Sequence, residues 1–254
     1  MRDVIYPPIV VAAKAGFRVL GNRFQMTGTE NIPTSGGVLL AYNHIGYVDF
    51  VYGGLAAQPS KRLVRFMGKK ELFDHRFTGP IMRGCHHIEV DRGAGTRSLE
   101  LAQEFLEAGE AVGIFPEATI SRAMELKEFK TGAVRIAGAA GVPLVPVILW
   151  GTQRLMTKDH PKDFSRGKTV SITVGEPLHP TGENPVAETA ELHTVMSSLL
   201  DQAIASYPPA EQPPGSWWLP RRQGGSAPTL AEAAELDATE RAERLARRRT
   251  VKKS

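Results

Sequence analysis

Six short apolar runs, five to eight residues long, punctuate this chain and constrain its fold more than any other feature. They are 37-GVLLAY-42, 62-RLVRFM-67, 86-HHIEVD-91, 111-AVGIF-115, 144-LVPVIL-149 and 168-KTVSITVG-175. Helical periodicity fills the intervals at about 47–57, 76–83, 97–108 and 131–140, and returns at 186–206. Strands that alternate with helices predict an α/β domain with a mixed, largely parallel sheet flanked by helices. At 254 residues the chain can bury one large core. We place the main domain at 25–207, an amphipathic helix at 1–24 and a Pro/Gly-rich, basic tail at 208–254.

The two ends carry their own signals. The segment 4-VIYPPIVVAAKAGFRVLGNRF-24 places Lys14 and Arg18 four residues apart on one helical face. Its charge-free part, Val4 to Ala13, is far shorter than the ~20 residues needed to span a bilayer. It reads as a helix packed on the domain or as one lying in a membrane interface. The stretch 208-PPAEQPPGSWWLPRRQGGSAP-228 is expected to be extended or flexible, with a helix after it at 229–249. Trp217 and Trp218 suit either a lipid headgroup layer or a cover over an apolar patch.

Residues 241–254 carry seven basic side chains and one acidic, while the whole chain has a formal charge of only +4. The first 240 residues are therefore slightly negative. With no nucleic-acid reading motif present, that balance argues against a nucleic-acid binder. The lone Cys85 fits a reducing compartment, and no signal peptide is evident. Cys85, His86 and His87 are consecutive in a strand pattern and cannot all face one ion, so no metal site is expected. Oligomeric state is not legible.

A His and an Asp five residues apart occur twice, as His44/Asp49 and His86/Asp91. In a strand, residues five apart lie about 16–17 Å apart on opposite faces, which separates His86 from Asp91. His44 instead follows the apolar run to Tyr42, and helical patterning resumes at Tyr47. Asn43 suits a chain reversal or a helix cap, and Gly46 gives the backbone freedom to fold Asp49 back. A carboxylate on one imidazole nitrogen would fix the tautomer and leave the other free as a base. The residues alone leave a second reading open, in which a capping Asn precedes a surface His.

The block 43-NHIGYVD-49 is followed by 84-GCHHIEVDR-92, 115-FPEATIS-121 and 142-VPLVPV-147, with 129-FKTGAVRIA-137 between the last two. In order and approximate spacing these resemble the glycerolipid acyltransferase family, which includes lysophosphatidic acid acyltransferases. The likeness covers about residues 35–175 and implies a peripheral enzyme on the cytoplasmic face of the cell membrane, where the N-terminal segment, the tryptophan pair and the basic tail suit an anionic surface. It implies that His44 is a general base oriented by Asp49, and that the acyl donor is a CoA or acyl carrier protein thioester with no other cofactor. It further implies that Arg92 and the 117–121 segment, with Glu117, Ala118 and Thr119, hold the phosphoglycerol part of a lysophospholipid acceptor. Lys69, Lys70, Lys130 and Gly132 are further candidates for binding substrate. A thioester is already activated, so no acyl-enzyme is needed, and no Gly-x-Ser-x-Gly nucleophile elbow is present. Cys85 reads as a small buried hydrophobe.

Three positions depart from the family pattern. Gly46 stands where Ser is usual, Ala118 replaces Gly, and Ile120 replaces the Arg that would contact acceptor phosphate, with Arg122 two residues on as a substitute on a mobile loop. First choice of acceptor is 1-acyl-sn-glycerol-3-phosphate. The alternatives are glycerol-3-phosphate, another lysophospholipid, a lipid-linked sugar, or lipid binding without catalysis.

Overall fold

Residues 38–42 are all buried, and alternate side chains enter two different apolar layers. Leu39 and Ala41 face one layer, while Val38, Leu40 and Tyr42 face the other. Residues 144–150 divide in the same way, with Leu144, Ile148 and Trp150 opposite Val145, Val147 and Leu149. A strand covered on both faces needs apolar residues at every position, and this is why these runs lack polar alternation.

The computed structural model describes residues 3–91 and 96–251. Seven strands form one sheet: β1 (Arg23–Thr27), β2 (Val38–Tyr42), β3 (Val64–Lys69), β4 (Ile88–Val90), β5 (Ala111–Ile114), β6 (Leu144–Trp150) and β7 (Thr169–Val174). Their order is β1-β7-β6-β2-β5-β3-β4, and every pairing is parallel except β6 with β7. The single α/β domain with a mixed, largely parallel sheet is thus observed.

Helices cover both faces. One carries α5 (Arg97–Glu107), α6 (Gly132–Ala140) and α7 (Pro185–Ser206). Along α7, Leu192, Met196, Leu200, Ala203 and Ile204 recur at helical spacing and are buried. Asn184 caps that helix by accepting the Ala187 N–H at 3.2 Å, with Pro185 at its first position. The other face carries α1 (Tyr6–Val19) and α2 (Asp49–Gly53), and the short helices α3 (Lys70–Asp74) and α4 (Thr78–Gly84) follow β3.

The amphipathic helix ends earlier than its sequence suggests. After Val19 the chain turns at Gly21, where φ is +58°, and residues 23–27 form β1. This strand is exposed throughout because it lies at the edge, paired only with β7, so it shows no apolar run. The helix itself packs on the domain: Tyr6 and Phe17 are buried, Tyr6 donates its hydroxyl to the Val64 carbonyl at 2.7 Å, and Asp3 is bidentate on the buried Arg65. Its outer side keeps Val11 and Val19 in solvent.

The 208–228 stretch is not extended. It folds through two 3-10 turns, and Trp218, Leu219 and Ala227 enter the core with Trp150 and Tyr207. Of the two readings for the tryptophan pair, Trp218 takes the second and covers an apolar patch. Glu211 ties this stretch to the sheet edge, accepting from the Thr169 N–H at 3.1 Å and from Arg23 and Arg154 at 2.6 Å each. The final helix, α8 (Leu230–Val251), begins at a reciprocal cap between Thr229 and Glu232. Among the described residues no helix is long and apolar enough to cross a membrane.

Candidate active site

Three neighbouring parallel strands, β5, β2 and β6, end at the same edge of the sheet, and the site is assembled from the segments that follow them. Open α/β sheets place sites at this carboxyl edge. The first anchor is Asn43. It is no helix cap: its side chain donates to the Leu149 carbonyl at 3.0 Å and accepts the Leu149 N–H at 2.7 Å. It thereby extends the β2–β6 pairing by one position and fixes where His44 starts.

His44 and Asp49 meet. Nδ1 lies 2.9 Å from Asp49 Oδ2, and the same oxygen accepts the N–H groups of Ile45 and Gly46 at 2.8 Å each. Oδ1 accepts the Thr152 hydroxyl at 2.6 Å. Asp49 is fully buried, whereas the His44 side chain is 22% exposed. A carboxylate met by these donors acts only as an acceptor, so the His44 proton sits on Nδ1 and Nε2 is left with its lone pair. Gly46 serves this turn through space rather than backbone freedom. A Cβ there would stand 3.0 Å from the Met156 carbonyl oxygen and 3.2 Å from Asp49 Oδ1.

The 115–121 segment closes over the turn. Phe115 stacks on the His44 ring at 4.3 Å, and Ser121 donates its N–H to the His44 carbonyl at 2.8 Å. Glu117 Oε1 accepts the His44 N–H at 2.8 Å and Oε2 accepts the Lys127 N–H at 3.1 Å. Burial pushes the Glu117 carboxyl up to about 8, against the two backbone donors, which favour its ionised form. Thr119 accepts from the Lys127 ammonium.

The Glu117 shift has a testable sign. Below its ordinary value of 4.5 the group is protonated in both folded and unfolded chains. Between there and about 8 only the folded chain keeps the proton, so unfolding releases it and rising pH favours unfolding. Wild-type protein should therefore lose thermal stability between about pH 4.5 and 8 relative to Glu117→Gln. Parallel melting profiles for the two proteins would count against the buried, protonated carboxyl.

Ala118 holds φ at +59°, a left-handed conformation that glycine adopts without strain. Restoring Gly should relieve about 1–2 kcal/mol while loosening the unfolded chain by about 0.4–1. Ala118→Gly should thus raise the melting temperature by a few degrees at most; a drop would mean the turn is not strained.

Other expected residues fall differently. Lys69 is exposed at the end of β3, with β5 lying between that strand and β2. Lys130 is exposed, with its backbone N–H on the Pro116 carbonyl at 3.0 Å, and Gly132 opens α6. Lys70 pairs with Glu89 at 3.1 Å and Asp91 at 3.8 Å. Arg92 lies outside the described residues. His86 takes a left-handed turn before β4 and Asp91 follows that strand, so the two occupy opposite ends of it. Arg122 is not on an open loop: it is buried and pairs with Asp159, Asp237 and Glu240.

The residues that sequence reasoning missed are Thr152, Phe115 and Lys127. Thr152 follows β6 at the sheet's carboxyl edge, which is the only signal it offers.

Between α1, α2 and α4 (Thr78–Gly84) lies an apolar cavity of about 190 Å³. Its walls include Phe17, Phe50, Val51, Leu63, Val64 and Met82. Burial lowers His87 in the same wall to about 4, which keeps it neutral there. Aromatic contacts run from His44 through Phe115 and Phe66 to Phe50, linking the imidazole to the cavity.

The model of the family described as Acyltransferase matches residues 23–150, half of the chain. The chain belongs to the acyltransferase family. This acyltransferase is 32% identical to the 1-acyl-sn-glycerol-3-phosphate acyltransferase of Bacillus subtilis (strain 168), over 76% of its own length and 94% of the relative's. It is 28% identical to the protein of that name from Pseudomonas aeruginosa, over 76% and 74% of the two chains. The crystal structure of the 1-acyl-sn-glycerophosphate (LPA) acyltransferase PlsC from Thermotoga maritima superposes with a TM-score of 0.66. That match has 25% identity and covers 80% of each chain. The acyltransferase is thus an enzyme, and among its described residues no helix is long and apolar enough to cross a membrane.

Proposed function

We propose that this acyltransferase moves a fatty acyl group from a CoA or acyl carrier protein thioester to the free hydroxyl of 1-acyl-sn-glycerol-3-phosphate, giving phosphatidic acid. The observation that carries this reading is the His44–Asp49 pair, with Nε2 left over on a partly exposed ring that aromatic contacts connect to an apolar cavity. The names of the relatives support the acceptor. In the proposed step, His44 Nε2 takes the proton of the acceptor hydroxyl as its oxygen attacks the thioester carbonyl. The tetrahedral intermediate then expels the thiolate, which recovers that proton from the imidazolium. Asp49 holds the ring and balances its transient charge. No cofactor is required, because the thioester supplies the activated acyl group. The cavity beside Phe50 takes part of an acyl chain.

We place the enzyme at the cytoplasmic face of the cell membrane. The outer side of α1 and the exposed Phe77 and Ile81 give it apolar contacts, and the basic tail suits anionic lipid. The test is to supply purified enzyme with palmitoyl-CoA or palmitoyl-acyl carrier protein and a panel of acceptors, following thiol release and lipid product. Lysophosphatidate should be the best acceptor. No acceleration of thiol release by any acceptor would sink the reading, and a better acceptor without phosphate would redirect it.

A further inference from the structure

Arg122, Lys127 and Lys158 converge at the rim of the site, and each lies on a segment tied to residues 44–45. Ser121, next to Arg122, donates to the His44 carbonyl at 2.8 Å. Lys127 donates its N–H to Glu117, which also holds the His44 N–H. Thr157, next to Lys158, donates its hydroxyl to the Ile45 carbonyl at 2.6 Å. The cations are mostly covered, Arg122 being 7% and Lys158 11% exposed. Ile120 is buried, so Arg122 is the cation this segment presents.

Burying three cations together is unfavourable unless anions meet them. One is local: Asp159 pairs with Arg122. The other two arrive from α8. Asp237 pairs with Arg122, with Lys127 at 2.9 Å and with Lys158 at 3.1 Å, while Glu240 reaches Arg122 and Lys158 at 2.9 Å each.

Little else holds this helix. Among residues 230–246, Ala233 alone has a buried side chain, and Leu230, Leu236 and Leu245 are exposed. The ion pairs Arg221–Glu232 at 3.0 Å and Arg244–Glu71 at 3.4 Å are solvated and contribute little. Without Asp237 and Glu240, three cations and Asp159 leave a formal +2. A phosphate monoester carries about −1.5 to −2 at neutral pH and offers three acceptor oxygens. Arg122 adds the planar fork that fits such a group.

We propose that Arg122, Lys127 and Lys158 form the binding site for the phosphate of the acceptor, and that Asp237 and Glu240 of α8 occupy it as an internal competitor. The proposal rests on the acceptor named above and adds the residues that recognise it. When acceptor binds, the two carboxylates leave and α8 detaches from the rim.

The test uses the full chain and two readouts, steady-state kinetics with lysophosphatidate and calorimetric titration with inorganic phosphate. Lys127→Gln and Lys158→Gln should each raise the lysophosphatidate KM about tenfold or more, with the donor KM unchanged. The double variant Asp237→Asn/Glu240→Gln should lower that KM and tighten phosphate binding about threefold or more, a gain that misfolding cannot produce. The proposal is overturned if the double variant binds phosphate no better than wild type, or if the lysine variants lose kcat with KM unchanged. Wild-type protein that fails to acylate lysophosphatidate would defeat the functional reading, while the phosphate titration would still decide the site.

Discussion

Replacing His44 with alanine is expected to lower acyl transfer by about three orders of magnitude, in line with the 10²–10⁴ that a positioned base contributes. The fold should survive. The His44 side chain is partly exposed, and its loss removes one bond to Asp49 and one ring stack. Asp49 keeps the Ile45 and Gly46 N–H groups and the Thr152 hydroxyl. A melting temperature within a few degrees of wild type, with thiol release reduced to the acceptor-independent rate, is the predicted result. Full activity in this variant would remove His44 from the chemistry. His86→Ala is the control: it alters a turn outside the site and should leave turnover nearly intact.

Asp49 should behave differently from its partner, because it has two jobs. Asp49→Ala would strand the Ile45 and Gly46 N–H groups and the Thr152 hydroxyl in a fully buried place. Each unsatisfied group costs about 1–3 kcal/mol, so the loss should approach a large fraction of total stability. Asp49→Asn is milder. Its carbonyl oxygen can keep the backbone donors and its amide can donate to the Thr152 oxygen, so the turn should fold. What it loses is the negative charge opposite the imidazolium. Turnover should fall about 10²-fold or more, because nothing then balances the charge that the ring takes on during the step. Wild-type activity in the Asn variant would show that charge at this position is irrelevant.

The parts of the fold that were legible share a physical property. β2 and β6 are covered on both faces, so burial writes a continuous apolar run that is visible in one dimension. β1 is solvated, bonded on one side only and carries Arg23 and Gln25, so its strand character comes entirely from β7. Trp218 illustrates the converse: a Pro/Gly-rich neighbourhood suggests loose chain, yet one aromatic placed over Trp150 folds it down. Within the site, the short-range bond between His44 and Asp49 could be foreseen from a strand-to-helix turn. The Thr152 hydroxyl could not, because it reaches Asp49 across 103 residues of sequence. The same distance problem hid the pairing of Arg122 with Asp237, separated by 115 residues, and made that arginine look available.

The sheet edge formed by β1 and β7 also sets an order of events during synthesis. Arg23 bonds to Thr169, 146 residues later in the chain. At about 5–20 residues per second the ribosome needs roughly 7–30 s to supply the partner after the first strand has emerged. The central strands β2, β5 and β6 are complete before that moment. The N-terminal strand is therefore among the last to be stitched in, added to a sheet already assembled without it. Until then β1 has no strand to pair with, although α1 already meets Val64, Arg65 and Tyr52.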